Sequence, residues 1–243
     1  MTNLSVNVNK VATLRNTRAL GIPSVLHAAK LCLDAGAHGI TVHPRPDQRH
    51  IKPQDVFDLA DLLKKYPNAE YNIEGNPFID FMHFAEKTRP TQCTLVPDSP
   101  DAFTSNHGWN LQKDADHLRR AIKQLKDYGC RVSLFMDPSP EIIAMAKKLG
   151  ADRVELYTEP FAAGFAKGDM HAVDTYTNAA KAAADAGLGI NAGHDLNLEN
   201  LAFFLKNVPQ TAEVSIGHAL ISDALEFGLP ETVRKYLAIC GRA

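Results

Sequence analysis

The chain is short of the residues that announce a metal centre, a disulfide scaffold or a membrane anchor. Its four cysteines, Cys32, Cys93, Cys130 and Cys240, lie far apart and form no C-x-x-C pair, so neither a zinc site nor a disulfide framework is suggested. No H-E-x-x-H occurs and no H-x-H sits on the first strand, so no local metal-ligand spacing is present. No G-x-G-x-x-G follows that strand either, which removes the main support for a dinucleotide-binding sheet. The formal net charge is -2 and no run of Lys or Arg stands out, which argues against nucleic acid as a partner. Residues 1–10 lack a charged region followed by an apolar one, and no window approaches the length of a membrane span. The expectation is a cytoplasmic protein with no membrane partner.

What is present is ordinary globular material with a repeated pattern. Hydrophobic residues make up 45% and charged residues 22%, enough for a sizeable core. The most informative stretch runs over residues 40–50. Ile40, Thr41 and Val42 are β-branched and read as a buried strand, and Pro44 and Pro46, which lack N–H donors, end any ladder pairing. The chemistry follows at once: His43 and His50 titrate near neutral pH, and Arg45 and Arg49 present planar forks suited to an anion. A solvated loop with incidental charge is the competing account of this stretch alone.

The same strand-then-polar-loop form recurs. Helical patterns close on Gly36, Gly129, Gly150 and Gly187 just before apolar runs, as left-handed caps do. Strands are predicted at residues 4–8, 40–42, 70–74, 92–96, 131–136, 153–157, 189–192 and 213–216. Helices are predicted at 23–35, 53–65, 77–87, 111–128, 140–149, 171–186, 197–206 and 219–239. Strict alternation implies a parallel sheet, and eight units in this length fit a closed barrel. The fold class is α/β, a single-domain (β/α)8 TIM barrel over residues 1–243 with extra helical segments. Two long strand-to-helix connections remain: 97–110, with Thr104 and the only tryptophan, Trp109, and 158–170, read as a mobile cover over the site.

Barrel active sites gather at the C-terminal strand ends. Here those ends supply Asn7, Asn9 and Lys10; His43 and Arg45; Glu74; Asp98 and Thr104; Asp137; Thr158 and Glu159; Asn191, Gly193, His194 and Asp195; Ser215, Gly217 and His218. Three histidines beside a glutamate at one mouth outweigh the structural account of any single one, because burying so many polar groups has to be offset by something. Strands seven and eight both end in Gly-His, and Gly193 and Gly217 would let the backbone approach a phosphate. Relief of crowding at the rim is the alternative. His43, His194, His218 and Glu74 are acceptable metal-ligand types, and Lys10 is a conceivable imine former.

Seven ordered motifs carry a resemblance over essentially the whole chain. They are Asn7-Val8-Asn9-Lys10 with the residues that follow it, Ile40-Thr41-Val42-His43-Pro44-Arg45, Arg49-His50-Ile51, Asn72-Ile73-Glu74, Leu95-Val96-Pro97, Asn191-Ala192-Gly193-His194 and Ile216-Gly217-His218-Ala219. Together the chain resembles the pyridoxine 5'-phosphate synthases. The resemblance implies a barrel enzyme that condenses 3-amino-2-oxopropyl phosphate with 1-deoxy-D-xylulose 5-phosphate, without cofactor or metal, releasing inorganic phosphate and water. It implies His43 and Glu74 as proton acceptors and His194 as proton donor. It also implies substrate contacts from Asn7, Asn9, Lys10, Arg18, Arg45, His50, Thr104, Asp195, Gly217 and His218, and assembly into a homo-octamer. Many family members carry Asp-His at positions 9 and 10 and Gly at 195. Asn9-Lys10 makes that corner more positive, and Asp195 has capping of the helix near Asn197 as a rival role. A metal-dependent hydrolase or aldolase on the same barrel is the alternative enzyme class.

Overall fold

The computed structural model describes residues 1–100, 102 and 104–241. Eight parallel strands close into a barrel in sequence order: β1 (Asn3–Asn7), β2 (Gly39–Val42), β3 (Glu70–Gly75), β4 (Gln92–Leu95), β5 (Arg131–Met136), β6 (Arg153–Tyr157), β7 (Gly189–Gly193) and β8 (Thr211–Ile216). Closure is made by β8 against β1, with Leu4 opposite Val214 and Ser5 opposite Ser215, so the sheet has no free edge. The helices are α1 (Asn9–Asn16), α2 (Val25–Asp34), α3 (Pro53–Leu63), α4 (Ile79–Thr88), α5 (Ala115–Asp127), α6 (Pro140–Leu149), α7 (Glu159–Ala166), α8 (Asp174–Asp185), α9 (Leu201–Asn207), α10 (His218–Phe227) and α11 (Leu229–Cys240).

The apolar core lies in the shell between strands and helices. Leu4, Val6, Ile40, Val42, Ile73 and Val214 are fully buried there. Further round the barrel, helix α5 packs on β5 and buries Leu118, Ala121, Ile122 and Leu125 at spacings of three and four, the stripe a core-facing helix needs. Gly36, Gly129, Gly150 and Gly187 all have positive φ, from 71° to 103°, so the expected left-handed caps are present. β5, β6 and α6 fall on the predicted residues.

The barrel interior is filled differently. Barrels of this kind are usually plugged with branched apolar side chains, whereas here alternate strand positions carry polar ones that bond from strand to strand. The Ser5 and Thr41 hydroxyls are 2.7 Å apart, Asn72 donates to Thr41 at 3.3 Å, and Thr94 donates to Asn72 at 3.1 Å. At the N-terminal end Gln92 and Asn191 both donate to buried Glu213, and Arg131 and Arg153 approach its other oxygen at 3.9 and 3.8 Å.

Three expectations are corrected. The first helix does not wait for residue 23: α1 starts at Asn9, because the Asn7 side chain accepts the Asn9 N–H at 3.0 Å and closes the turn. The stretch 158–170 is not a long irregular connection. Most of it is α7, whose Phe161 is fully buried against Phe204 and Tyr176, with ring centroids 5.2 and 6.0 Å away. The single helix predicted over 219–239 is two, parted at Gly228 (φ 75°), which is followed by Leu229 and Pro230. Glycine accepts the left-handed turn, and proline biases the residue before it away from helical geometry.

Candidate active site

β1, β2 and β3 deliver one half of the barrel mouth. Asn9 accepts the His43 backbone N–H at 3.0 Å, so the start of α1 fixes the end of β2. His43, 6% exposed, then lies with Nδ1 3.9 Å from Glu74 Oε2 at the end of β3. That separation is too long for a hydrogen bond and short enough for one substrate atom or water to bridge. His50 closes the corner, its ring centroid 6.2 Å from that of His43. Its Nδ1 accepts the Ile51 N–H at 2.9 Å, which assigns the ring a neutral form with the proton on Nε2.

Burial decides the electrostatics of this corner. Desolvation, followed by the charges of Arg45, His50 and His194, holds the His43 imidazole well below its ordinary range. His50 falls to about 4, again through burial first and then through Arg45 and Arg49. Glu74 moves the other way, pushed up to about 8 by burial and then by the charge of Asp98. At neutral pH the pair is therefore a neutral base beside a neutral acid.

Arg45 is occupied rather than free. Its guanidinium is ion-paired with Asp98 and donates to the Ala102 carbonyl at 3.0 Å. Ser105 donates to the same Asp98 oxygen at 2.6 Å, while Asp98 Oδ1 is buried with no hydrogen-bond partner among the described residues. A cavity of about 660 Å³ opens alongside, lined by His43, Arg45, Asn76 and Asp98 and by apolar Ile51, Phe81 and Phe84. Its size suits a small ligand.

β5, β6 and β7 build the other half from rings. His194, directly after β7, lies 5.5 Å from Phe135 and 5.3 Å from Tyr157, centroid to centroid. Burial lowers its pKa, partly opposed by Asp195 and Asp98. Beneath it stands Glu155 on β6, 3% exposed and driven well above the usual carboxylate range by burial and then by Glu74 and Glu213. A β-carbon at Gly193 would sit 2.4 Å from Glu155 Oε1, so that glycine makes room for the carboxyl group. Crowding, rather than anion approach, explains Gly193. Gly217 packs against Asn7, where an added β-carbon would be 3.1 Å from the Asn7 β-carbon, and it opens α10 with His218 exposed in the first turn.

Asn7, Asn9, His43, Arg45, Glu74, His50, His194 and Gly217 thus stand on one end of the barrel. Lys10 is exposed on α1, within reach of His50 electrostatically. Arg18, past the end of α1, and Thr104 are exposed. Asp195 caps no helix. Asn197 accepts the Asn200 N–H at 3.0 Å ahead of α9, and the Asp195 side chain is exposed. Glu155, Phe135 and Tyr157 were not picked out from the sequence. The only signal available was the inward phase of their strands, which places Glu155 two positions before Tyr157 on the face that points to the mouth.

Fold and site together define a β/α barrel whose mouth gathers a buried cluster of titratable side chains. The model of the family described as pyridoxal phosphate biosynthesis protein PdxJ matches residues 4–242, and the chain belongs to that family. Proteins named pyridoxine 5'-phosphate synthase from Albidiferax ferrireducens and Porphyromonas gingivalis are 57% and 54% identical to it; each match covers 97% of this chain, and 96% and 98% of the relative. Among solved structures, a mutant tryptophan synthase α-subunit from Pyrococcus furiosus superposes with TM-score 0.64 at 12% identity, covering 99% of this chain and 98% of that one. A thiamine phosphate pyrophosphorylase from the same organism gives 0.62 at 12% identity, covering 99% and 96%. These two likenesses concern the barrel alone.

Proposed function

We propose that this barrel is a pyridoxine 5'-phosphate synthase in which His43, Glu74 and His194 carry the proton transfers. It condenses 3-amino-2-oxopropyl phosphate with 1-deoxy-D-xylulose 5-phosphate and releases inorganic phosphate and water. Imine formation, dehydration and ring closure each remove a proton at one atom and deliver one at another. The observation that carries the reading is the His43–Glu74 pair, 3.9 Å apart and buried so that neither group is charged at neutral pH. The His43 imidazole is free to accept a proton first. Glu74 accepts once its own proton has passed on, which becomes easier as pH rises toward about 8. His194 donates to the departing oxygen from the opposite wall, and Glu155 below it can offer a hydrogen bond without carrying charge. A well-placed acid or base supplies roughly 10² to 10⁴ in rate, so several are needed.

Two phosphorylated substrates need two anion sites. The Gly217 rim with the α10 N-terminus takes the aminoacetone phosphate, and the corner of Arg45, His50 and Lys10 takes the sugar phosphate. A substrate complex with the phosphates exchanged would refute this assignment. Asn7, Asn9, Arg18, Thr104, Asp195 and His218 complete the substrate contacts. The reading extends to a homo-octamer in the cytoplasm. Supporting the assembly are the exposed apolar residues Leu14, Leu20, Ile22 and Leu26 around the α1–α2 connection, where Arg18 also lies; light scattering tests it. No helix among the described residues is long and apolar enough to cross a membrane.

The test of the chemistry is an assay of purified protein with both substrates, following pyridoxine 5'-phosphate and released phosphate. Substituting His43→Asn, Glu74→Gln or His194→Asn is expected to lower kcat by about 10² to 10⁴ while the fold persists. Full activity in all three variants would overturn the assignment.

A further inference from the structure

The turn after β7 holds two consecutive non-glycine residues in the left-handed region, His194 at φ 83° and Asp195 at φ 58°. Side chains with a β-carbon persist there only when their surroundings over-determine the backbone. Steric pressure from below is one cause, since the chain at Gly193 runs tight against Glu155. What holds the turn from above is Thr158, the first residue after β6. Thr158 is fully buried, and its backbone N–H donates to the Gly193 carbonyl at 2.9 Å. Its hydroxyl stands 2.6 Å from that carbonyl and 2.5 Å from the carbonyl of His194, so one proton is shared between the two peptide groups flanking the imidazole's own α-carbon. On the far side, Asn200 donates to the Asp195 carbonyl at 3.0 Å. Thr158 touches neither the cavity nor the His194 ring by any hydrogen bond described; its contacts are with the backbone that carries the ring.

We infer that Thr158 is a positioning residue for the reaction: its hydroxyl pins the left-handed His194 turn and so holds the imidazole on the Phe135–Tyr157 surface, facing the substrate. Without the hydroxyl the turn can relax to ordinary negative φ, and the ring leaves that surface. The inference rests on the assignment of His194 as proton donor, and the experiment separates the two.

Thr158→Val keeps the branched shape and removes the hydroxyl; Thr158→Ser keeps the hydroxyl. The Val variant is expected to lose about 10- to 100-fold in kcat, as a misplaced catalytic group does, with KM for both substrates held within about two-fold. The Ser variant recovers to within about three-fold of the parent. In a His194→Asn background the Val substitution costs less than about two-fold further, because residues acting through one another are not additive. An equal loss in both backgrounds, or no loss in the parent, overturns the inference. Should Thr158→Val not fold, Thr158→Ala is read in the same way. If His194→Asn itself keeps full activity, the donor assignment has failed, and the clamp is then judged by NMR titration of the His194 ring. Thr158→Val must move that titration upward toward its ordinary value; an unmoved titration overturns the clamp.

Discussion

His43 stands near the guanidinium groups of Arg45 and Arg49, with neutral His50 and neutral Glu74 beside it. His194 stands among rings, against Phe135 and Tyr157. Both imidazoles are lowered from their ordinary pKa, and in both the first cause is burial. The second cause differs: positive neighbours push His43 further down, while Asp195 and Asp98 pull His194 part of the way back. One wall of the mouth is thus biased toward keeping its histidine a base. The other allows its histidine to take a proton more readily and so to return one. Two copies of a single residue type thus differ in electrostatics through their second neighbours, a difference that suits the proposed removal and delivery of protons.

The comparison breaks first at Glu74. Replacing it with Gln removes the titratable carboxyl group beside His43, and the expected loss is about 10² to 10⁴ in kcat. The next largest effect belongs to Arg45. Arg45→Met strands Asp98, which is 4% exposed and already has one unpartnered oxygen, and removing one partner of a buried pair costs about 3–5 kcal/mol. Denaturant unfolding would show it, together with a raised KM for the sugar phosphate. Stability against pH gives a smaller, signed effect. The native protein holds the Glu74 proton up to about 8, whereas the unfolded chain releases it near 4.5, so stability falls as pH rises across that interval. Lowered His50 acts oppositely: the native ring sheds its proton near 4 and the unfolded one near 6.5, so stability falls as pH drops through that window. Glu74→Gln should remove the decline between 4.5 and about 8 and leave the opposite His50 contribution in place. The smallest change lies on the ring-lined wall. Asp195→Gly relieves one left-handed residue and should be neutral to stabilising by up to about 1 kcal/mol, seen as a slightly higher Tm.

The sequence made the barrel legible because its signals are local. Glycines at 36, 129, 150 and 187 close helices wherever they occur, and the apolar runs of β5 and β6 are bounded by them. Strand ends then put His43, Glu74 and His194 on a longer list of mouth residues through topology, and the family resemblance singled those three out. What stayed hidden was long-range or depended on phase. Arg45 and Asp98 are 53 positions apart and nothing local links them. Glu155 sits inside a strand whose apolar neighbours disguise it, and the polar filling of the barrel is visible only when facing strands are brought together. The helix over 159–166 was masked by glycines and a proline that read as loop residues. Pro160 is tolerated in its first turn, and the aromatic packing of Phe161 and Phe165 holds the rest.

The deciding measurement is the pH dependence of product formation, followed with both substrates for the parent protein and for Glu74→Gln, each with and without EDTA. The prediction is that the parent makes pyridoxine 5'-phosphate in either condition, with a rate that climbs as pH approaches about 8, and that Glu74→Gln loses at least about 100-fold at every pH together with that climb. An unchanged rate in Glu74→Gln would contradict the acid/base reading. Activity abolished by EDTA alone would contradict it too, and would make the strand-end histidines metal ligands.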